Sequence, residues 1–75
     1  MENAHTAEII KARSKERGIS VAAMLLECGI HKSLIYDLEK RDRTPSAEVL
    51  EKIADYLDCS VDYLLGRTDR PDINR

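Results

Sequence analysis

A chain of 75 residues that is 43% hydrophobic and lacks both Trp and Phe can build one small domain with an aliphatic core. This size excludes a deep catalytic cleft, and the net charge of −2 excludes a broadly basic surface. Basic residues outnumber acidic ones only in residues 1–43, by eight to seven, so a nucleic-acid surface would have to be local.

The first predicted helix covers residues 6–17. Thr6 is a suitable N-cap, and Glu8 lies in the first turn, where a negative charge is favourable. Gly18 follows the helix at a position that often takes a left-handed conformation. Residues 1–5 carry no such signal, and we expect them to be a loose end.

Residues 20–40 are the part of the chain around which the rest is organised. They indicate two short helices, over residues 20–28 and 31–41, that meet at Gly29. The second of them starts near His31, which is a weak N-cap. The link is too short for the two helices to lie antiparallel. Two helices that cross steeply at a glycine turn are typical of the helix-turn-helix, which presents its second helix to a DNA groove.

Two further helices are predicted over residues 46–58 and 60–65. Ser20, Ser46 and Ser60 are each placed to cap the helix that follows. The fourth helix is the clearest periodic segment, and its predicted buried stripe is Val49, Leu50, Ile53, Ala54 and Leu57.

The five helices together predict a compact all-α domain over residues 1–66. Residues 67–75 are polar, contain Pro71 and show no periodicity, so we expect a flexible tail or the start of a linker. No apolar run approaches the roughly 18 residues of a membrane span, and no signal-peptide pattern is present. We therefore expect a cytoplasmic protein without membrane contact.

Nothing in the sequence indicates an enzyme, a cofactor or a metal site. His5 and His31 are the only imidazoles, and neither lies near a Ser or Cys in a nucleophile context. No glycine-rich loop is present to hold a phosphate. Cys28 and Cys59 lack zinc-binding spacing, and we expect reduced apolar fillers, with a disulfide as the alternative.

Several short motifs resemble one known family when they are taken in order and at their separations. They are Gly18-Ile19-Ser20, Gly29-Ile30, Ile35 with Leu38-Glu39, Thr44-Pro45-Ser46, Leu50-x-x-Ile53-Ala54-x-x-Leu57 and Ser60-Val61-Asp62-Tyr63-Leu64-Leu65-Gly66. No single motif is specific, but the combination is. Over residues 10–66 the chain resembles the lambda-repressor-like, or Cro/C1-type (XRE family), helix-turn-helix domain.

This resemblance implies sequence-specific binding of double-stranded DNA. A family member of this kind is expected to act as a nucleoid-associated transcriptional repressor, as a homodimer on a palindromic operator, with its third helix in the major groove. The implied base contacts are Lys32, Ser33, Tyr36 and Asp37. The implied phosphate contacts are Ser20, Val21, Lys40, Arg41 and Arg43.

The chain departs from the family at several positions. Val21 stands where the family often has a Gln that reaches a phosphate, and Leu25 stands where a small Ala is favoured. Ser14 stands where an Arg commonly pairs with the acidic residue at Glu39, and Arg13 lies one position away. A Ser or Thr cap is usual at the place of the weak cap before the third helix. These changes bear on affinity and docking angle more than on the fold.

Two alternatives stay open at this point. Each implied contact residue has the simpler alternative of a solvated surface side chain. The whole domain has the alternative of a degenerate helix-turn-helix that serves as a protein-interaction or oligomerisation module, because Asp37 lies on the reading face and Val21 cannot hold a phosphate. Tyr56 and the end of the fifth helix are candidate dimer surfaces.

Overall fold

The computed structural model describes residues 2–70, which fold into five α-helices. These are α1 (Glu2–Glu16), α2 (Val21–Glu27), α3 (Leu34–Lys40), α4 (Ala47–Tyr56) and α5 (Val61–Leu64). Within these residues there is no strand. The predicted all-α class, and the prediction of five helices with the helix-turn-helix at the second and third, are confirmed.

Three serines begin helices as the sequence predicts. Ser20, Ser46 and Ser60 have extended backbones, and each hydroxyl oxygen accepts a hydrogen bond from the amide three residues ahead, at 3.3, 3.2 and 3.1 Å. Because the first amides of a helix lack partners within it, each cap satisfies one of them and marks where the helix starts. These local signals explain why the predicted bounds of α2, α4 and α5 agree with the structure to within two residues.

The predicted start of the first helix at Thr6 is wrong, because α1 already begins at Glu2. Thr6 lies inside the helix and is 2% exposed, so it cannot act as an N-cap. The side-chain amide of Asn3 donates to Oδ1 of Asp42 at 3.0 Å and to Oγ1 of Thr44 at 3.1 Å. These long-range contacts hold the first turn in place of a local cap.

The predicted start of the third helix at residue 31 or 32 is also wrong, since α3 begins at Leu34. The amide of Leu34 donates to the carbonyl of His31 at 3.1 Å. Residues 31–33 therefore form a tight turn of their own before the regular helix. At its other end α3 stops at Lys40, one residue before the predicted end.

The core collects apolar side chains from all five helices. α1 packs against α2, α3 and α5, while α4 packs against α2 and α5. The buried cluster consists of Ala7, Ile10, Met24, Leu25, Leu38, Ile53, Ala54, Leu57, Cys59 and Leu64. Leu38 is the fully buried residue of α3, and the half-buried Leu34 and Ile35 also pack against the core, while Tyr36 and Lys40 of the same helix stay exposed.

Two basic side chains tie α1 to other parts of the fold. The guanidinium of Arg13 donates to the carbonyls of Leu57 and Asp58, at 3.1 and 2.9 Å. Lys11 forms an ion pair with Glu39 of α3. Glu39, the acidic residue of the family's usual ion pair, is thus paired. Its partner is Lys11, one helical turn before Ser14, where the family commonly has an Arg.

Both cysteines are free thiols, so the alternative of a disulfide is not met. Cys59 is buried in the core, and Cys28 is half-buried with its Sγ 3.9 Å from the carbonyl oxygen of Lys52. Their positions fit the prediction of small apolar fillers.

The predicted tail begins with a short ordered stretch. The amide of Arg67 donates to the carbonyl of Asp62 at 2.9 Å, just after α5. Residues 71–75 of the predicted tail lie outside the described residues. Across residues 2–70, the helices lack the length and apolar character needed to cross a bilayer.

Candidate nucleic-acid interface

The turn after α2 sets the direction in which the chain enters α3. Gly29 has a φ of +69°, the left-handed conformation that the sequence predicts there. The amide of Ile30 donates to the carbonyl of Leu25 at 2.8 Å and so closes the end of α2. Ile30 is then partly buried against the core, which anchors the chain just before the turn at residues 31–33.

Lys32 is exposed in the turn that precedes α3. It lies at an open groove of about 310 Å³, together with Lys11 and four apolar residues, Val21, Ala22, Leu25 and Ile35. Two ammonium groups therefore border a mostly apolar floor. An ammonium in this position can donate to a base acceptor or to a phosphate oxygen.

The other predicted base contacts are bonded within the protein. The hydroxyl of Ser33 donates to Oδ2 of Asp37 at 3.1 Å. Oδ1 of Asp37 is buried and accepts no hydrogen bond from the described residues. It lies 3.6 Å from the guanidinium of Arg41, too far for a hydrogen bond, so that attraction is electrostatic. The Asp37 carboxylate, 20% exposed, therefore lies within the surface of α3.

Tyr36 projects from the same helix and is 54% exposed. The guanidinium of Arg41 lies over its ring, 5.5 Å from the ring centroid, which is cation–π geometry. The guanidinium covers one face of the ring, and the exposed part of the ring is available to stack on a base or lie against a sugar.

The predicted phosphate contacts differ in what they can donate. Ser20 is exposed, and its hydroxyl still has a hydrogen to donate while its oxygen accepts the α2 cap bond. Val21 is half-buried and its side chain has no polar atom. Lys40 and Arg43 are both exposed and cationic. Together with Arg41, they make three basic side chains around the end of α3.

The α3 region concentrates positive charge that the net charge conceals. Its basic residues are Lys32, Lys40, Arg41 and Arg43, whereas Asp37, Glu39 and Asp42 are the acidic residues among them, and Glu39 is paired with Lys11 of α1. Within residues 2–70, no group of three or more His, Cys, Asp or Glu side chains could hold a metal ion. The site therefore offers donors and cations rather than ligands for a metal.

Sequence reasoning missed three features around this site. Lys11 borders the groove and pairs with Glu39, but it lies on α1, and no local pattern connects it to α3. Leu26 is 81% exposed although apolar, a feature that only the orientation of α2 determines. His31 bonds to the start of α3 through its ring, and its place in front of that helix was the available signal.

Tyr56, a candidate dimer-surface residue, is bonded within its own chain. Its hydroxyl donates to the carboxylate of Glu27 at 2.6 Å, and this hydrogen bond raises the pKa of the Tyr56 phenol. The contact joins α4 to the end of α2, next to the exposed Leu26. A partner at this surface would therefore meet a polar pair beside one apolar side chain.

The fold and the site together define a small helix-turn-helix domain whose third helix is open to a partner. The sequence profile of the family described as Helix-turn-helix matches residues 9–64, and the chain belongs to this family, in its Cro/C1-type branch. This membership agrees with the prediction that the chain is not an enzyme.

One relative is a curated regulator. The protein called HTH-type transcriptional regulator SinR, from Bacillus licheniformis, is 38% identical over 61 residues, which cover 80% of this chain and 55% of that protein. The chain thus spans about half the length of the curated relative it matches. No solved structure matches the chain.

Proposed function

We propose that this domain binds double-stranded DNA in a sequence-specific manner and regulates transcription, acting as a repressor in the cytoplasm at the nucleoid. The observation that carries the proposal is the exposed face of α3, with Lys32, Tyr36 and Arg41, held on α1 behind a tight turn at Gly29. Family membership and a relative named as a transcriptional regulator support the same function. In this proposal α3 enters the major groove.

The exposed side chains divide naturally into two kinds of contact. We assign Lys32 and Tyr36 to base edges, because a lysine can donate to guanine and a tyrosine ring can stack on a base or sugar. Ser33 and Asp37 are hydrogen-bonded to each other, so a base contact by either one requires that this hydrogen bond be shared with the base or broken. Base contacts by these two residues stay predictions.

Phosphate contacts would position the domain without reading sequence. Lys40, Arg41 and Arg43 supply the charge for them, and Ser20 supplies a hydroxyl donor. Val21 can contribute apolar contact with a sugar but not a phosphate hydrogen bond, because its side chain has no donor. The domain therefore relies on the end of α3 more than on the start of α2.

We further propose that two copies bind a palindromic operator. One domain reads only a few base pairs, so useful specificity needs a second copy or a second domain. The longest dimension of the domain is 30 Å, and half-sites one helical turn apart are separated by about 34 Å. The size of the domain is therefore compatible with two copies on successive major grooves.

A second candidate function is a protein-interaction module, and Leu26 is the observation that favours it. Its side chain is 81% exposed at the end of α2, one residue before Glu27, which is hydrogen-bonded to Tyr56. An apolar side chain in this position suits a protein partner better than a phosphate backbone. A domain of this kind would bind a protein partner and would not bind DNA.

Duplex titration separates the two functions. We expect binding to random-sequence duplex, followed by fluorescence polarisation, to weaken steeply with salt. Three phosphate-bound cations per protomer predict a slope of about −3 in log K against log salt, at about 0.9 per cation. The repressor proposal fails if the protein shows no duplex binding at about 50 mM salt.

Two substitutions then separate reading from positioning. We expect Lys32→Ala to change the sequences selected from a random duplex pool, since a base contact is lost. Arg43→Ala should weaken all sequences alike and reduce the salt slope by about one. Lys52→Ala is the matched control, because this lysine lies on α4 and pairs with Glu48, so neither readout should change.

A further inference from the structure

His31 stands two residues before Ser33, the N-cap residue of α3, and its ring contacts Ser33 twice. Nδ1 lies 3.1 Å from the amide of Ser33, which donates to it, and 2.8 Å from the Ser33 hydroxyl. Ser33 itself gives α3 no side-chain cap. The imidazole therefore satisfies an amide at the start of the helix, as the serine hydroxyls do at α2, α4 and α5.

The amide contact constrains one nitrogen of the ring. An N–H group can donate only to a nitrogen that carries no proton, so this contact requires an Nδ1 without a proton. The Ser33 hydroxyl lies 2.8 Å from the same Nδ1 and 3.1 Å from Oδ2 of Asp37, and its single hydrogen can be donated to only one of these two acceptors at a time.

We infer that His31 is a positioning residue for the α3 face, an inference that rests on the DNA-binding function proposed above. Through Nδ1 it holds the amide of Ser33 and closes the turn that carries Lys32 before any DNA is bound. A frayed turn would have to be ordered when the duplex arrives, and that loss of conformational entropy weakens binding. The ring removes this penalty in advance.

Three substitutions at this position test the assignment. Asn places its Oδ1 at the same bond distance from the backbone as Nδ1, so His31→Asn keeps the acceptor and removes Nε2. Gln places its polar atoms one bond further out, so His31→Gln keeps a polar atom at about the position of Nε2 and loses the acceptor at the position of Nδ1. His31→Ala removes both. All are compared at pH 8, where imidazoles are ordinarily neutral.

The expected pattern of duplex affinities is specific to positioning. His31→Asn should bind within about two-fold of the natural protein, while His31→Ala and His31→Gln should bind about five-fold more weakly, the effect of one lost helix cap. If the Gln variant binds normally and the Asn variant does not, the ring contacts DNA through Nε2 and the inference is overturned. Normal binding by the Ala variant also overturns it.

A measurement on the protein alone keeps this test separate from the proposed function. Hydrogen exchange of the Ser33 amide, followed by NMR, should be protected in the natural protein and in His31→Asn, and fast in His31→Ala. Equal protection in all three shows that His31 caps nothing. If the natural protein binds no duplex at all, the proposed function fails together with the positioning role of His31 in DNA binding. Exchange of the Ser33 amide still decides whether the ring caps α3.

Discussion

The carboxylate of Asp37 lies 3.6 Å from the guanidinium of Arg41, one helical turn further along α3. The same guanidinium lies over the ring of Tyr36. Arg41 is therefore held between an acidic and an aromatic side chain on the surface proposed for DNA. A phosphate must compete with Asp37 for this cation, and the acidic group itself repels the duplex.

We expect Asp37→Asn to strengthen duplex binding about three-fold at about 50 mM salt, because Asn still accepts from Ser33 but neither holds Arg41 nor repels phosphate. Polarisation titration against salt measures the change, and the gain should fade as salt rises. Glu51→Gln removes one acidic charge on α4 and serves as the control. A weaker Asp37→Asn variant with altered preference at one base pair would instead identify Asp37 as a base acceptor.

Local signals explain which parts of the fold the sequence predicts well. Ser20, Ser46 and Ser60 satisfy amides three residues away, so their effect can be read from neighbouring residues. The start of α1 could not be read in this way, since Asn3 is bonded to the side chain of Asp42, 39 residues away. Only the assembled fold brings these two residues together.

The candidate site likewise combines features that the local sequence predicts with features that only the assembled fold determines. The exposure of Tyr36 follows from its phase on α3 relative to the buried Leu38, so the sequence identifies it, whereas Lys32 is exposed in the turn before α3. The bond between Ser33 and Asp37 depends on which rotamers the surface permits, and no periodic pattern contains that information. Exposed residues were therefore predictable, whereas their partners were not.

Arg13 provides a test of how α1 holds the end of α4. Its guanidinium donates to the carbonyls of Leu57 and Asp58, which lie beyond the last turn of α4, and its side chain is 15% exposed. We expect Arg13→Ala to lower the free energy of unfolding by about 2 kcal/mol, since charged hydrogen bonds contribute more than neutral ones. Urea denaturation followed by circular dichroism measures this.

A nearby arginine supplies the control for that experiment. Arg17 lies 3.7 Å from the carboxylate of Asp58, and both side chains are largely exposed. Because exposed ion pairs contribute little, we expect Arg17→Ala to lower the free energy of unfolding by less than about 1 kcal/mol. Equal losses for the two variants would show that the carbonyl bonds of Arg13 add nothing beyond surface charge.

Gly29 tests the turn that sends the chain into α3. A Cβ built on it meets nothing within 4 Å, so a substitution is opposed by its φ of +69° rather than by a clash. We expect Gly29→Ala to destabilise the domain by about 1 kcal/mol, and Gly29→Asn to cost less, because Asn tolerates the left-handed conformation. Thermal unfolding of both variants is the measurement. If Asn costs as much as Ala, the backbone conformation is not what the position requires.

Cys59 gives the protein an alkaline limit to its stability. Burial raises the pKa of its thiol above the ordinary value of 9.0, against a lowering by Arg13. Below about pH 8 the thiol is neutral in the folded and the unfolded chain, so its contribution is fully present. As pH rises further, the unfolded chain ionises first, and the free energy of unfolding must fall. We expect urea denaturation under reducing conditions to show this decline between pH 8 and pH 10. Cys59→Ala should make it shallower, whereas an unchanged slope would remove the thiol as its cause.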